Sequence, residues 1–321
     1  MLDILKLSLA AQKRINPHIR HTPLEPAIEL GRENGARVFF KLESNQHTGS
    51  FKVRGALNRL LALTDDEKRA GVVAASSGNH GLATAFGMNR LGIDGIIFLP
   101  ENASPLKVQM LEALGARIQF HGVDCDLTEA YARRHAERAN QPYISPYNDP
   151  LVVGGQGTIG LEILERLPHV DCVLVSVGGG GLISGIAGAV KTIRSEVVIV
   201  GCSPMHSPAM SASVRAGRIV KVPTRKTLSD GTAGGIEPGA VTFEPCRSFV
   251  DDWVLVTEEE IRTAMIQVFN DYRLVIEGAA AVTVAGFSKC SRQFRGKTVV
   301  VVICGRNIDM NVFKSIVCPF G

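Results

Sequence analysis

The sequence predicts an α/β fold with mostly parallel sheet, and two observations carry that reading. Strand-like and helix-like runs alternate along most of the 321 residues. The strand candidates are continuous β-branched runs, not apolar–polar alternations, which marks strands covered on both faces.

Taken in order, the first stretch, "MLDILKLSLAAQKRINPHIR", reads as an amphipathic surface helix ending near Pro17. Leu2, Leu5 and Leu9 fall on one helical face, while Asp3 and Lys6 interrupt what would otherwise resemble a signal peptide. Strands are expected at 37–43, 71–76, 95–99, 117–120, 172–177, 197–202 and 298–304. Helical spacing follows Lys52 in "VRGALNRLLALTDDEKR" and recurs at 79–91, 105–114, 127–139, 157–167, 181–193 and 258–271. Pro, Asn and Gly cluster in "SPYNDPLVVGGQGT", 145–158, where a domain boundary is expected. Residues 203–240 form a polar, Gly/Pro-rich stretch too long to be a structureless linker without a role. There is no internal repeat, and a chain ending soon after its last strand is expected to carry no appended regulatory domain.

The totals exclude several classes of function. A net charge of +4, with one Trp and four Tyr, gives no basic–aromatic surface for nucleic acid. No apolar run has the length of a membrane span. Seven cysteines, an odd number and none spaced C-x-x-C, argue against both a disulfide framework and a zinc site. A soluble protein of a reducing, cytoplasmic compartment is expected.

Two turns are built to bind anions. In "VLVSVGGGGLISGIAGAV", 173–190, a buried strand meets four glycines and then a helix. Without side chains, the backbone N–H groups at that helix N-terminus form a phosphate cradle. The dinucleotide fingerprint fails in both registers, because Ile183 or Ser184 stands where its third glycine belongs, and the next strand ends in "GCSP" with no acid for a ribose. A single phosphate ester on a compact cofactor suits the loop better. In "VVAASSGNHGLATAFG", 72–87, Ser76, Ser77, Gly78 and Asn79 place hydroxyls and free amides at a helix start, suited to a carboxylate. His80 beside them reads first as a structural histidine.

Lys52 in "TGSFKVRGA", 48–56, opens a helix, where dipole logic disfavours a cation. It is either an ordinary solvated charge or an amine whose pKa the helix end and Arg54 depress, free to attack a carbonyl. A phosphate site, a carboxylate site and such a lysine together fit pyridoxal 5′-phosphate acting on a small amino acid.

Beyond these features, the chain resembles the fold type II pyridoxal-phosphate enzymes (the tryptophan synthase β-like fold), in the branch of threonine/serine dehydratases and serine racemases. The resemblance rests on "HTPLE" at 21–25, "TGSFKVRGA", "SSGNHG" at 76–81, "GGQGTIGLEI" at 154–163, "VGGGGLISG" at 177–185, "SDG" at 229–231, "IEGAAA" at 276–281 and "CGRN" at 304–307. It implies two open, mostly parallel twisted sheets flanked by helices, a large domain of 1–64 and 149–321, a small closing domain of 65–148, and a homodimer. It makes Lys52 the Schiff-base lysine and the base at Cα, and it packs Phe51 on the cofactor ring. Asn79 would bond the ring 3′-oxygen, and Gly178, Gly179, Gly180, Gly181 and Leu182 would hold the phosphate. Ser76, Ser77 and His80 would line the substrate carboxylate. Ser77 would also be the catalytic serine that delivers a proton to the opposite face in racemases, a residue shared by dehydratases. Glu277 would lie near the ring, and Cys304 would stand beside the pyridine nitrogen, where many members carry serine. A thiol there leaves that nitrogen unprotonated, favouring prompt β-elimination; the bland reading is a small buried hydrophobe at a strand end.

The implied reaction is β-elimination from a 3-hydroxy amino acid such as L-threonine or L-serine, giving a 2-oxo acid and ammonia. Serine racemisation, or dehydration of a specialised substrate (hydroxyectoine-derived, hydroxyaspartate or phenylserine), is the alternative. Three positions depart from the pattern. Ser203 and Ala209 stand where metal-binding relatives carry acids, so no metal site is expected. Thr128 stands in place of a racemase arginine, which favours dehydration. Arg306 replaces a usual glycine, with no role that the sequence supplies.

Overall fold

The computed structural model describes residues 2–318. Among the described residues, nine strands form two sheets. The larger has the order β1-β2-β9-β6-β7-β8, where β1 is Leu24–Pro26, β2 Arg37–Leu42, β6 Cys172–Ser176, β7 Val198–Pro204, β8 Asp252–Val256 and β9 Thr298–Ile303. Only β1 runs antiparallel. The smaller is the parallel set β3 (Val72–Ala75), β4 (Gly95–Leu99) and β5 (Arg117–Phe120). The α/β class with two mostly parallel sheets is as the sequence predicts, and the seven expected strands lie within two residues of their predicted bounds.

The unbroken apolar runs explain the layering. Every side chain of β6 and of β9 is buried, because helices cover both faces of the large sheet. Its centre packs on the helices Pro150–Arg166, Gly181–Ile193 and Gly278–Cys290. The small sheet packs on Asn79–Leu91 and Cys125–Arg138.

Several elements differ from the sequence reading, and four of them have a clear physical reason. The first helix, Ile4–Ile15, buries Ile4, Ser8, Ala11 and Ile15 while Leu9 stays exposed, so its packed face is not the leucine face. The helix expected at 157–167 begins at Pro150, capped by Asp149. Its early glycines mimic a turn in sequence but are contact points with the backbones of neighbouring helices. Gly278–Cys290 is apolar all round and so lacks an amphipathic signature. Strand β8 sits at the sheet edge, where Asp252 is exposed.

Among the described residues, no helix is long and apolar enough to cross a membrane.

Candidate active site

Parallel α/β sheets present their ligand sites at the carboxyl ends of the strands. Here the carboxyl ends of β3, β6 and β9 open onto one cavity of about 860 Å³. Phe51, Lys52, Ser76, Ser77, Asn79 and His80 line it from one side. Gly178, Gly179, Gly180, Gly181, Leu182, Glu277 and Cys304 line the other. Every sequence-predicted site residue is thus in a single cavity.

Lys52 is the first residue of the helix Lys52–Leu61, and its Nζ donates to the Pro146 carbonyl at 2.9 Å. Burial lowers its pKa to about 8, against the opposing pull of Cys304, Glu277 and Glu129. Arg54, expected to share in that depression, takes no part in it. Its guanidinium is turned into a separate buried cluster, where it pairs with Glu43 at 2.8 Å and Glu162 at 2.6 Å. The Phe51 ring centroid lies 5.3 Å from Lys52 Nζ.

The glycine loop joins β6 to the helix Gly181–Ile193. Gly180 sits in the left-handed region at φ 87°, and no side chain caps the helix. The first-turn amides are therefore free at the positive end of the dipole, facing the cavity. A phosphate monoester fits this donor set.

Asn79 opens the helix Asn79–Leu91. Its Nδ2 faces Glu277, at 2.8 and 3.0 Å from the two carboxylate oxygens. Burial pushes the Glu277 carboxyl up to about 7, while the hydrogen bond from Asn79 holds it down. Gly78 N–H donates to Ser76 Oγ at 3.2 Å. His80 Nε2 lies 2.7 Å from the Ile144 carbonyl, so that nitrogen carries the proton. Burial drives its pKa down to about 3, leaving it neutral. Ser176 Oγ donates to Cys304 Sγ at 3.4 Å, and burial raises the thiol pKa, so Cys304 is a protonated thiol.

Of the departures, Ser203 donates to the Val177 carbonyl at 3.1 Å, and Thr128 donates to the carbonyls of His121 and Asp124, both at 2.7 Å. Arg306 lines the cavity mouth.

The sequence reading missed two groups. Asn307 stands in the quoted "CGRN", and it contacts Thr48, Asn79 and Glu277. Tyr147 accepts from the Glu237 amide at 3.0 Å and lines the cavity beside the glycine loop. The motif itself could have pointed to Asn307; nothing in the local sequence marks Tyr147.

The description of the family "pyridoxal-phosphate dependent enzyme" matches residues 15–305. An L-threonine ammonia-lyase of Thermotoga maritima is 40% identical over 307 residues, 96% of this chain and 76% of that protein. A catabolic L-threonine dehydratase of Escherichia coli K12 is also 40% identical, over 96% of this chain and 94% of its own. Among solved structures, maize serine racemase superposes with a TM-score of 0.91 at 32% identity, covering 96% and 94% of the two chains. The processed threonine deaminase isoform 2 of Solanum lycopersicum gives 0.94 at 30% identity, covering 99% and 89%. With Lys52, the glycine cradle and the Ser–Ser–Gly–Asn turn in one cavity, the chain belongs to the fold type II pyridoxal-phosphate enzymes, in the family of threonine dehydratases and serine racemases.

Proposed function

We propose that the protein is an ammonia-lyase that converts a 3-hydroxy amino acid, with L-threonine and L-serine as first candidates, to a 2-oxo acid and ammonia. The observation that carries this reading is the buried amine of Lys52, with its lowered pKa, in the same cavity as a phosphate cradle and a carboxylate-binding turn. The names of the 40% identical relatives support it.

When bound, pyridoxal phosphate supplies an aldehyde that bonds an amine and a ring that delocalises the electrons left at Cα. The chain's residues do the rest. The amides of Gly178, Gly179, Gly180, Gly181 and Leu182 would hold the phosphate, Phe51 would pack on the ring, and Asn79 would donate to the ring oxygen. Ser76, Ser77 and the turn amides bind the substrate carboxylate, with neutral His80 shaping the wall behind them. Lys52 Nζ accepts the Cα proton, for which a pKa near the working pH is suited. Cys304, a protonated thiol of the cavity wall, would offer the ring nitrogen no acidic proton, and Glu277 would stand beside the ring. The region 65–148, with the small sheet, is the part that closes over the substrate, and the working form is a cytoplasmic homodimer.

A second reading, serine racemase activity, draws support from the likeness to maize serine racemase and from Ser77 in the cavity wall. One experiment separates them: 2-oxo acid release from L- and D-threonine and L- and D-serine, run beside Lys52→Ala and a D-serine assay. Release from an L-substrate, lost in the variant, is the expected result. No release by a protein carrying bound cofactor would overturn the lyase reading, and D-serine formed from L-serine would install the racemase.

A further inference from the structure

Residues 304–307 run as a short ribbon against the loop that delivers Lys52. Phe51 N–H donates to the Cys304 carbonyl at 3.0 Å, Ser50 and Gly305 form an antiparallel bridge, and Arg306 N–H donates to the Gly49 carbonyl at 2.9 Å. That register delivers Asn307 to a point where three loops meet. Its Nδ2 donates to the Thr48 carbonyl at 2.8 Å and to Asn79 Oδ1 at 2.6 Å, and its backbone N–H donates to Glu277 Oε2 at 3.0 Å. Its Oδ1 packs on Gly49, which has φ 71° and where a Cβ would lie 2.6 Å from that oxygen. The seat is therefore built from both sides.

The chemistry of the pair is directional. A backbone carbonyl can only accept, so Thr48 fixes which end of the Asn307 carboxamide is NH2. The second hydrogen of that NH2 goes to Asn79, and this fixes Oδ1 as the buried end of the Asn79 carboxamide. Asn79 is left with its own NH2 pointing at Glu277 and the cavity. Asn307 thus holds the oxygen end of the carboxamide while Glu277 accepts from its nitrogen end, and loss of Asn307 leaves the oxygen end without its donor.

We propose that Asn307 is a positioning residue that sets the orientation of the Asn79 carboxamide, so that an N–H donor, not a carbonyl oxygen, meets the ring oxygen of pyridoxal phosphate beside Lys52. A donor stabilises the anionic form of that oxygen, whereas an acceptor repels it. The proposal rests on the cofactor site described above. Its test reads cofactor binding, so failure of the lyase assay would leave it standing.

The experiment compares Asn307→Asp and Asn307→Ala in the wild-type and Asn79→Ala backgrounds, titrating the apoprotein with pyridoxal phosphate. Asn307→Asp keeps the size but cannot donate to Thr48 or Asn79. The expected result is cofactor affinity lower by about tenfold or more, as for loss of a hydrogen bond to a charged group. The visible band of the lysine-bound cofactor should also shift its pH titration, and Asn307→Ala should show a smaller change in the same direction. In the Asn79→Ala background both substitutions should add almost nothing, because the effect runs through Asn79. Thermal midpoints of the apoproteins identify any variant that merely fails to fold, and Asn307→Ala, which introduces no charge, then carries the test. Equal losses with and without Asn79, or an unshifted titration in folded variants, would overturn the proposal.

Discussion

Arg133 pairs with Glu237 of the cavity wall. Arg133, on the helix Cys125–Arg138 beside the small sheet, donates to Glu237 Oε1 at 2.8 Å, and Glu237 belongs to the long segment 203–240 that lies between β7 and β8 of the large sheet. The guanidinium also stacks 4.3 Å from the Tyr143 centroid and pairs with Glu129 at 2.7 Å. A second pair, Lys107 to Asp230 at 3.6 Å, joins two residues that line the same cavity. The stretch that looked too long for a linker thus supplies a cavity wall, residues 230–237.

If these pairs hold the cleft closed, their loss weakens substrate capture more than chemistry. Arg133 and Glu237 are partly exposed, so the pair contributes about 1 kcal/mol after solvent screening. Glu237→Gln should raise KM by about 3- to 10-fold with kcat within about twofold, since 1.4 kcal/mol is a factor of ten. Raising the salt concentration should have the same effect on wild type and little on the variant. Steady-state kinetics at two ionic strengths checks this, and a fall in kcat alone would contradict it.

The lowered pKa of Lys52 fixes how the apoprotein takes up its cofactor. Only the neutral amine attacks an aldehyde, and burial puts half-neutralisation near pH 8, where an ordinary lysine is still almost wholly charged. Uptake of pyridoxal phosphate, followed by visible absorbance, should accelerate from pH 6.5 to 8 and level off above that. A rate still climbing at pH 10 would show an unperturbed lysine. The sign for stability follows from the same shift. Between about pH 8 and the ordinary lysine range, the unfolded chain holds a proton that the folded chain has released, so this group favours folding more as pH rises. Lys52→Met should therefore raise the apoprotein's thermal midpoint at pH 7 by a few degrees, with less gain at pH 10.

Much of this was legible in the sequence because the site is made of short local motifs. The glycine run, "SSGNHG" and "TGSFK" each sit where a strand or loop meets a helix, and periodicity locates those junctions well. Direction and depth were less visible. The shift of Lys52 comes from burial within the cavity walls, not from Arg54 nearby in sequence, and no local pattern reveals which way a helical side chain turns. Tyr147 and Asn307 act through contacts made across about 90 and 230 positions of chain. The first helix shows the same limit, since its leucines looked like the packed face and Ile4, Ala11 and Ile15 occupy it.

Cys304 gives a prediction about reaction type. Its thiol is buried and protonated beside Ser176, with Lys52 the cation that pulls against that burial. Cys304→Ser preserves a neutral hydrogen-bonding group and should keep 2-oxo acid release within about fivefold of wild type, an ordinary cost for a conservative swap. If Cys304 faces the ring nitrogen as proposed, Cys304→Asp would set a carboxylate there and should cost about a hundredfold or more, because it would change the charge that the bound ring carries. Initial rates with the best 3-hydroxy amino acid test the order, and equal activity of the two variants would reduce Cys304 to a packing residue.

Arg54 gives the clearest prediction about stability. It is fully buried, with two carboxylates on its guanidinium, and Lys41 Nζ holds the second of these, Glu162, at 2.5 Å. Two cations and two anions balance, so the cluster is neutral as a unit. Arg54→Met leaves Glu43 and Glu162 sharing only Lys41 and Thr22, at a cost of about 3–5 kcal/mol for an uncompensated buried charge. That corresponds to a thermal midpoint lower by about 5–15 °C. The acid limb should move as well. Burial alone would raise the Glu162 pKa, but the Arg54 guanidinium overrides it and holds the group below its ordinary range. A depressed carboxylate stabilises the fold above its unfolded pKa, and that contribution is lost as pH falls through the folded value. With Arg54 gone, acid unfolding should begin at a higher pH than in wild type. Because Lys52 lies two residues before Arg54 on the same helix, the variant should also lose cofactor affinity, whereas Arg54→Lys, retaining one charge, should fall between the two. A Met variant as stable as wild type from pH 4 to 8 would show that the cluster adds nothing to the fold.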